Sequence, residues 1–465
     1  MKTFGDLTVP KVEQSGPGAD GEFVYVDISS IDNQAKRIVE PKRLASDSAP
    51  SRARQRLRAG DVLVSMTRPN LNAVALVPPE LDGAIGSTGF HVLRATEGVD
   101  QRWLFYAVQT SAFVKAMCAV VQGALYPAVR PKDIRDYAVE PPSLNRQREI
   151  VAELERQFSR LDEAVANLQR VKANLKRYKA AVLKAAVEGR LVETEASIAQ
   201  REGRSYETGE QLLQRILEER RTKWSGRGKY KQPDSPVLDG LDVLPEGWTY
   251  ATTEQMCEQI ASGSTPPPDA MFSGAGDVPF LKVYNLTFDG SLDFTVKPTY
   301  VAGTTHQGLL ARSRSIPGDV LMNIVGPPLG KVSIVPSVFP EWNINQAIVT
   351  FRTSPGLVNR LLAHWLLAGP VLSRLERTAK ATAGQHNLQV STCRRLPIPI
   401  PPLAEQVRIV AELDRHLSSI HGVEAEVDTN LQRAQALRQA ALAKTFDMNK
   451  PQQISAKTRE SNQDA

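Results

Sequence analysis

A long internal repeat constrains this chain more than any other feature. Pro142-Ser143-Leu144-Asn145-Arg146-Gln147-Arg148-Glu149-Ile150-Val151-Ala152-Glu153-Leu154 returns as Pro401-Pro402-Leu403-Ala404-Glu405-Gln406-Val407-Arg408-Ile409-Val410-Ala411-Glu412-Leu413, shifted by 259 positions. The register then holds without a gap to Glu188 and Asp447. Further back, Gly60-Asp61-Val62-Leu63-Val64 returns as Gly318-Asp319-Val320-Leu321-Met322, and Val92-Leu93-Arg94 as Thr350-Phe351-Arg352, both at a shift of 258. Solenoid units recur every ~20–50 residues, so this is a duplicated half-molecule. Between the anchors the halves differ freely. The order is unlike block, shared helix, unlike block, shared helix, which suggests a common framework carrying different ligands.

Residues 146–188 read as one helix, roughly 64 Å long at 1.5 Å per residue. Val151, Leu154, Phe158, Leu161, Val165 and Leu168 alternate steps of three and four, which makes an apolar seam. Beyond Leu168 the seam resumes at Val171, Leu175, Tyr178 and Val182 after an extra three-residue step, a slip that overwinds a supercoil locally. The second copy offers Val410, Leu413, Leu417, Ile420, Val427, Leu431 and Leu437, with Glu424 at the position of Val165. Pro141-Pro142 and Pro401-Pro402 stiffen each entry. A striped helix of this length needs a partner in water, and the simplest partner is the other copy. An antiparallel coiled coil with a pseudo-two-fold axis is expected, with the blocks towards its opposite ends.

The blocks mix short strands with helices and read as α/β or α+β domains. Phe23–Val26, Val62–Val64 and Val320–Met322 are expected strands, the last two entered by Gly-Asp turns; Trp103–Val121 and Val358–Leu375 are expected helices. The expected segments are a first block at 1–142, a central helix at 143–190 and a connector at 191–244. A second block at 245–400, a distal helix at 401–448 and a disordered tail at 449–465 follow. In the connector, Leu212, Leu213, Ile216 and Leu217 line one side of a short amphipathic helix spanning Glu207–Trp224.

Composition narrows the class. At 465 residues, several domains with their own cores are expected. No apolar run approaches the ~20 residues that span a bilayer, and Met1–Asp6 has no signal-peptide core. Cys118, Cys257 and Cys393 lie far apart, which predicts neither zinc site nor disulfide framework and fits a cytoplasmic location. Net charge is +6, and residues 143–190 hold 11 Lys+Arg against 6 Asp+Glu, whereas both blocks are nearly neutral. That balance permits nucleic-acid binding without requiring it.

Catalytic signatures are missing. Gly326-Pro327-Pro328-Leu329-Gly330-Lys331 is one residue short of a phosphate loop, lacks the Ser/Thr, and has prolines where amide donors belong. His91, His306, His364, His386, His416 and His421 show no metal spacing and no triad. A non-catalytic chain without its own metal or cofactor is expected.

In this order, the motifs resemble the specificity (S) subunits of Type I restriction–modification enzymes. The resemblance rests on the Pro401–Val410 segment, the Tyr178–Gly189 helix end, Leu244-Pro245-Glu246-Gly247-Trp248, Gly263-Ser264-Thr265-Pro266 and Pro317–Leu321. It departs at the start, where no Leu-Pro-x-Gly-Trp precedes Phe4-Gly5-Asp6-Leu7 and Ser15-Gly16-Pro17-Gly18 stands near the place of Gly-Ser-Thr-Pro. The resemblance implies two target-recognition domains separated by the paired helices, and double-stranded DNA as ligand. It also implies two methyltransferase (M) subunits and two restriction (R) subunits as partners. S-adenosylmethionine, ATP and Mg would act on those partners, and no membrane is involved. The alternative class is a coiled-coil adaptor that reads no DNA.

Base readout needs forked polar side chains, and phosphate contacts need Lys, Arg, Ser or Thr. The loop after each Gly-Asp strand supplies candidates: Ser65, Thr67, Arg68 and Asn70 in the first block, Asn323 and Lys331 in the second. Tyr126 and Arg130 form a further set, equivalent in position to Gln385, His386 and Asn387.

Overall fold

The computed structural model describes all residues except 19–20, 122–126, 227, 327, 383–384 and 448–465; side chains are also not described at 380–386 and 447. Tyr126 and the expected tail therefore lie outside the described residues. The chain divides into two compact units, Met1–Arg170 with Val427–Ala465, and Val171–Glu426. The divisions fall inside the two long helices, Leu144–Val187 and Leu403–Asp447, so each helix gives one half to each unit.

Within each unit the helix halves pair antiparallel. In the first, Ile150, Val151, Leu154 and Phe158 share a core with Leu442. Asp162 pairs with Arg438 at 2.7 Å, and the Arg438 guanidinium lies 4.3 Å from the Phe158 ring centroid. In the second, the Tyr178 hydroxyl bonds His416 Nδ1 at 2.8 Å, and Val182, Leu183 and Ala186 share a core with Ile409, Val410 and Leu413. Rising numbers on one helix meet falling numbers on the other in both units.

The seam residues divide into two grades. Val151, Leu154, Phe158, Val410, Leu413, Leu417, Ile420 and Val427 are buried; Leu161, Val165, Leu168 and Leu431 are half-buried. The expected slip does not occur. Val171 and Tyr178 are 39% and 47% exposed, and the heptad spacing continues from Leu168 through half-buried Leu175 and Lys179 to buried Val182. A lysine stem can fill a seam position while its ammonium reaches water, which a purely apolar reading misses. On the distal helix Leu437 is 60% exposed, and Ala434 and Leu442 face inward instead.

The first block folds on a four-stranded sheet ordered Lys42–Ala45, Glu22–Val26, Ile85–Ser87, Ala53–Arg56, and a three-stranded sheet ordered Phe90–Leu93, Val62–Ser65, Val74–Leu76. The second has a four-stranded sheet ordered Cys257–Ser262, Ile348–Thr353, Val320–Asn323, Val332–Ile334, and a five-stranded sheet built around Val278–Leu281 and Trp342–Ile344. Every residue of Val62–Ser65 and of Val320–Asn323 is buried, which explains the apolar runs Val62-Leu63-Val64 and Val320-Leu321-Met322. Each block is closed at its base by a short antiparallel pair: Lys2–Thr3 with Ala138–Val139, and Thr249–Thr252 with Pro397–Ile400. Thr3 and Thr252 then each cap a one-turn helix through a capping box.

Two expected helices are each two. Trp103–Val121 is replaced by Gln101–Ala107 and Ser111–Ala119, broken at Thr110, whose hydroxyl donates to the Ala107 carbonyl and accepts from the Phe113 amide. Val358–Leu375 is replaced by Asn359–Leu367 and Gly369–Thr378, because Pro370 has no N–H to continue the first helix. The connector carries the expected amphipathic helix. It adds a helix at Glu195–Glu202, and Leu212, Leu213, Ile216 and Leu217 of the helix Gly209–Thr222 are buried in the second unit's core. Trp248 Nε1 and the Glu195 amide both donate to the buried Glu405 carboxylate, at 2.9 and 2.8 Å.

Candidate nucleic-acid interface

Each block suspends its candidate loop from the same strut. Arg94 donates from Nε and Nη2 to Asp61 at 2.8 and 2.7 Å; Arg352 donates in the same way to Asp319 at 2.9 and 2.7 Å. The two carboxylates are 1% and 2% exposed, and each also accepts a backbone N–H, from Arg58 or Ile316. A forked charge-assisted pair fixes the angle of the strand that launches the loop.

A glutamine clamp ties each long helix to its block. Gln147 Oε1 accepts from the Asp100 amide and its Nε2 donates to the Pro142 carbonyl, both at 2.8 Å. Gln406 accepts from Val358 at 3.0 Å and donates to Gly356 and Pro401 at 3.0 and 3.1 Å. Neither clamp was foreseen, although the glutamine recurs in both copies of the repeat and was a readable signal.

The structure brings the two candidate segments of each block together. Thr67 bridges Ala128, and the Arg68 amide donates to Pro127 at 2.8 Å. At the equivalent place in the second block, Val325–Gly326 pairs with the strand Gln385–Asn387. Thr67, Arg68, Asn70 and Asn387 are exposed. The side chains of Gln385 and His386 are not among those described, and Tyr126 is outside the described residues.

Other candidates are engaged internally. Ser65 is buried and bonds the Thr67 carbonyl at 3.0 Å. Asn323 is fully buried; its Nδ2 donates to Val325 and Pro328 and its Oδ1 accepts from the Lys331 amide, so it shapes the loop rather than presenting an edge. Lys331 is half-buried, with Nζ 3.2 Å from the Val283 carbonyl. The Arg130 guanidinium forks onto Asp133 at 3.1 and 2.8 Å.

Backbone strain collects at the first block's loop. Arg68 and Asn72, at φ +49° and +45°, flank the turn Pro69–Leu71, and Lys36, at φ +54°, donates Nζ to the Asn72 carbonyl at 2.5 Å. Each left-handed non-glycine residue costs about 1–2 kcal/mol. Burial, with the nearby Arg438 charge, pushes the Lys36 ammonium down to about 8. The equivalent of Asn72 is Gly330, at φ +90°, where an added Cβ would lie 2.8 Å from Leu372 Cδ1. Gly263 likewise admits no side chain, since a Cβ there would meet the Ile344 carbonyl oxygen at 2.0 Å. Among the described residues no cluster of metal-ligating side chains occurs, and no helix is long and apolar enough to cross a membrane.

These features define a class: an internally duplicated scaffold of paired helices carrying two unlike, loop-bearing domains on one framework. Residues 245–428 match the family model of the Type I restriction modification DNA specificity domain. The Type I restriction enzyme EcoBI specificity subunit of Escherichia coli is 22% identical over 353 residues, 75% of this chain and 65% of that protein. The EcoEI specificity subunit of Escherichia coli is 24% identical over 289 residues, 59% of this chain and 44% of that protein. The chain thus spans less than two thirds of either relative's own length. A solved structure concerning complex assembly and conformational transition of the type I R-M system contains a chain that superposes with a TM-score of 0.64 at 26% identity, covering 96% of both. Residues 245–428 thus match that specificity domain, and the chain as a whole is similar to specificity subunits of Type I restriction enzymes.

Proposed function

We propose that this chain is the non-catalytic DNA-reading subunit of a Type I restriction–modification complex. Each block reads one half-site of a bipartite, asymmetric target in double-stranded DNA. Helix surface left over from the seam docks two M subunits, and two R subunits complete the nuclease; the positive excess at 143–190 is one candidate patch. Methyl transfer and ATP-driven cleavage belong to those partners, with their S-adenosylmethionine, ATP and Mg. The observation that carries this reading is a single framework, the Arg–Asp strut and the Gln clamp, holding unlike loops: Thr67-Arg68-Pro69-Asn70 in one block and the segment from Val325 to Lys331 in the other. A shared frame with unlike edges suits two unlike half-sites separated by unread bases.

The test is a block exchange. The chain is co-expressed with its cognate methyltransferase subunits, and the methylated motif is read by methylation-sensitive sequencing. Replacing residues 1–142 by another family member's block should change one half of the motif and leave the other half and the gap intact. A contiguous motif, or an exchange that alters both halves, would overturn the reading. A complex that assembles but retains no DNA would favour the adaptor alternative.

A further inference from the structure

Beside each candidate loop lies a hairpin with no role in the reading above. In the first block Ile31–Asp32 pairs with Arg37–Ile38, and Asp32 Oδ1 caps the turn by accepting from the Gln34 and Ala35 amides at 2.8 and 2.9 Å. In the second, a bridge between Leu286 and Leu292 closes the turn Thr287–Ser291. Both follow a strand and a single 3-10 turn, Ile28–Ser30 or Val283–Asn285, whose last side chain accepts from the amide before the turn: Ser30 from Asp27 at 3.3 Å, Asn285 from Lys282 at 3.0 Å. The positive-φ residue of the first turn is Lys36; that of the second is Gly290, at φ +96°.

Both hairpins abut the loop after the Gly-Asp strand. Lys36 Nζ bonds the Asn72 carbonyl, while Lys331 Nζ lies 5.7 Å from the Phe288 ring centroid and Gly290 bridges Ser333. Among the described residues only four non-glycines have positive φ, and Lys36, Arg68 and Asn72 are three of them. Where the second block relieves strain with Gly290 and Gly330, the first retains side chains. Strain kept at a surface that glycine could relax marks a functional constraint. The tips also carry reading chemistry: Gln34 and Arg37 are exposed, and Phe288 is 49% exposed. Gln and Arg fork onto base edges, and an exposed Phe contacts a thymine methyl or wedges a base step.

We propose that the hairpin turn is a DNA-reading strip in both blocks, Gln34 and Arg37 contacting the first half-site and Phe288 the second. Lys36 is the positioning residue that locks the first turn to the Arg68 loop. This rests on the DNA-reading function proposed above and names further residues that carry it.

The test uses the full chain in complex with its cognate methyltransferase. Gln34→Ala with Arg37→Ala should lower methylation of the parent motif by about tenfold or blur base preference in one half only, the size of one forked contact. Phe288→Ala should affect the other half. Lys36→Gly removes the ammonium but relieves the positive φ, so it should impair the first half-site without lowering the melting temperature. If all variants co-purify with the methyltransferase and methylate the parent motif within about twofold of the parent rate, the hairpin proposal fails while the DNA-reading function stands. A parent complex that methylates no motif and retains no DNA overturns both.

Discussion

The Arg94–Asp61 pair shows how one contact is used twice. Its carboxylate is almost fully buried, so its net worth is small but its disruption is costly. Arg94→Met should destabilise the first unit by about 3 kcal/mol, read from urea unfolding, and Arg352→Met should do the same to the second unit. Adding Asp61→Asn to Arg94→Met should recover part of the loss, because no buried charge then remains; an additive loss would contradict this account. Lys36 offers a pH test. Its folded pKa, about 8, is below the ordinary 10.5, because burial disfavours the ammonium. A depressed pKa contributes stability that is present above the unfolded value and lost as pH falls through the folded one. Relative to Lys36→Met, the parent chain should therefore gain stability between about pH 8 and about pH 10.5. A stability difference that is flat over that window would show that Lys36 is solvated.

Elements are placed by the seam and by the clamps at their ends. The heptad phase decides which side chains of the distal helix face inward, and the structure turns Ala434 in and Leu437 out. Ala434→Glu should therefore cost about 2 kcal/mol or more, since it forces an unpaired carboxylate into the seam. Leu437→Glu should stay within about 0.5 kcal/mol, as an exposed substitution does. Thermal melting of the two variants distinguishes the phases, and the reverse order would restore the seam read from apolar residues alone. At the helix start Gln406 is fully buried and bonded at both ends of its amide. Each long helix thus leaves its block in a fixed direction.

At the scale of the molecule, neither unit is a contiguous block followed by a separate helix. The core that joins Val182–Ala186 to Ile409–Leu413 also takes in the connector helix and the second block, and all of it lies inside Val171–Glu426. Residues 171–426 expressed alone should therefore unfold in one cooperative transition with near-ultraviolet dichroism. Exposed apolar surface and no such transition would mean that the unit depends on the rest of the chain. The same strut and the same clamp recur in both blocks while the loops they hold differ.

The repeat by itself determined the duplicated plan, the antiparallel helix pair and the α/β character of the blocks. Each is written in local periodicity or in a motif that occurs twice: the three-four spacing from Val151 to Leu168, the Gly-Asp strand, the Pro-Pro entry. Tertiary structure alone decided the rest. Val171 satisfies an apolar pattern yet faces outward, and Tyr178 sits at the seam's edge with its hydroxyl on His416, because Lys179 takes the inward position with its long stem. Asn323 looks like a base reader but is consumed by its own loop, and Lys36 carries no signal in the sequence because the carbonyl that accepts its hydrogen bond belongs to Asn72, distant in the chain. The physical reason is the range of the interactions. Helix phase and turn chemistry act over a few residues and leave a trace in the sequence. Which polar group is spent inside and which is left at the surface depends on partners the chain brings together only when folded.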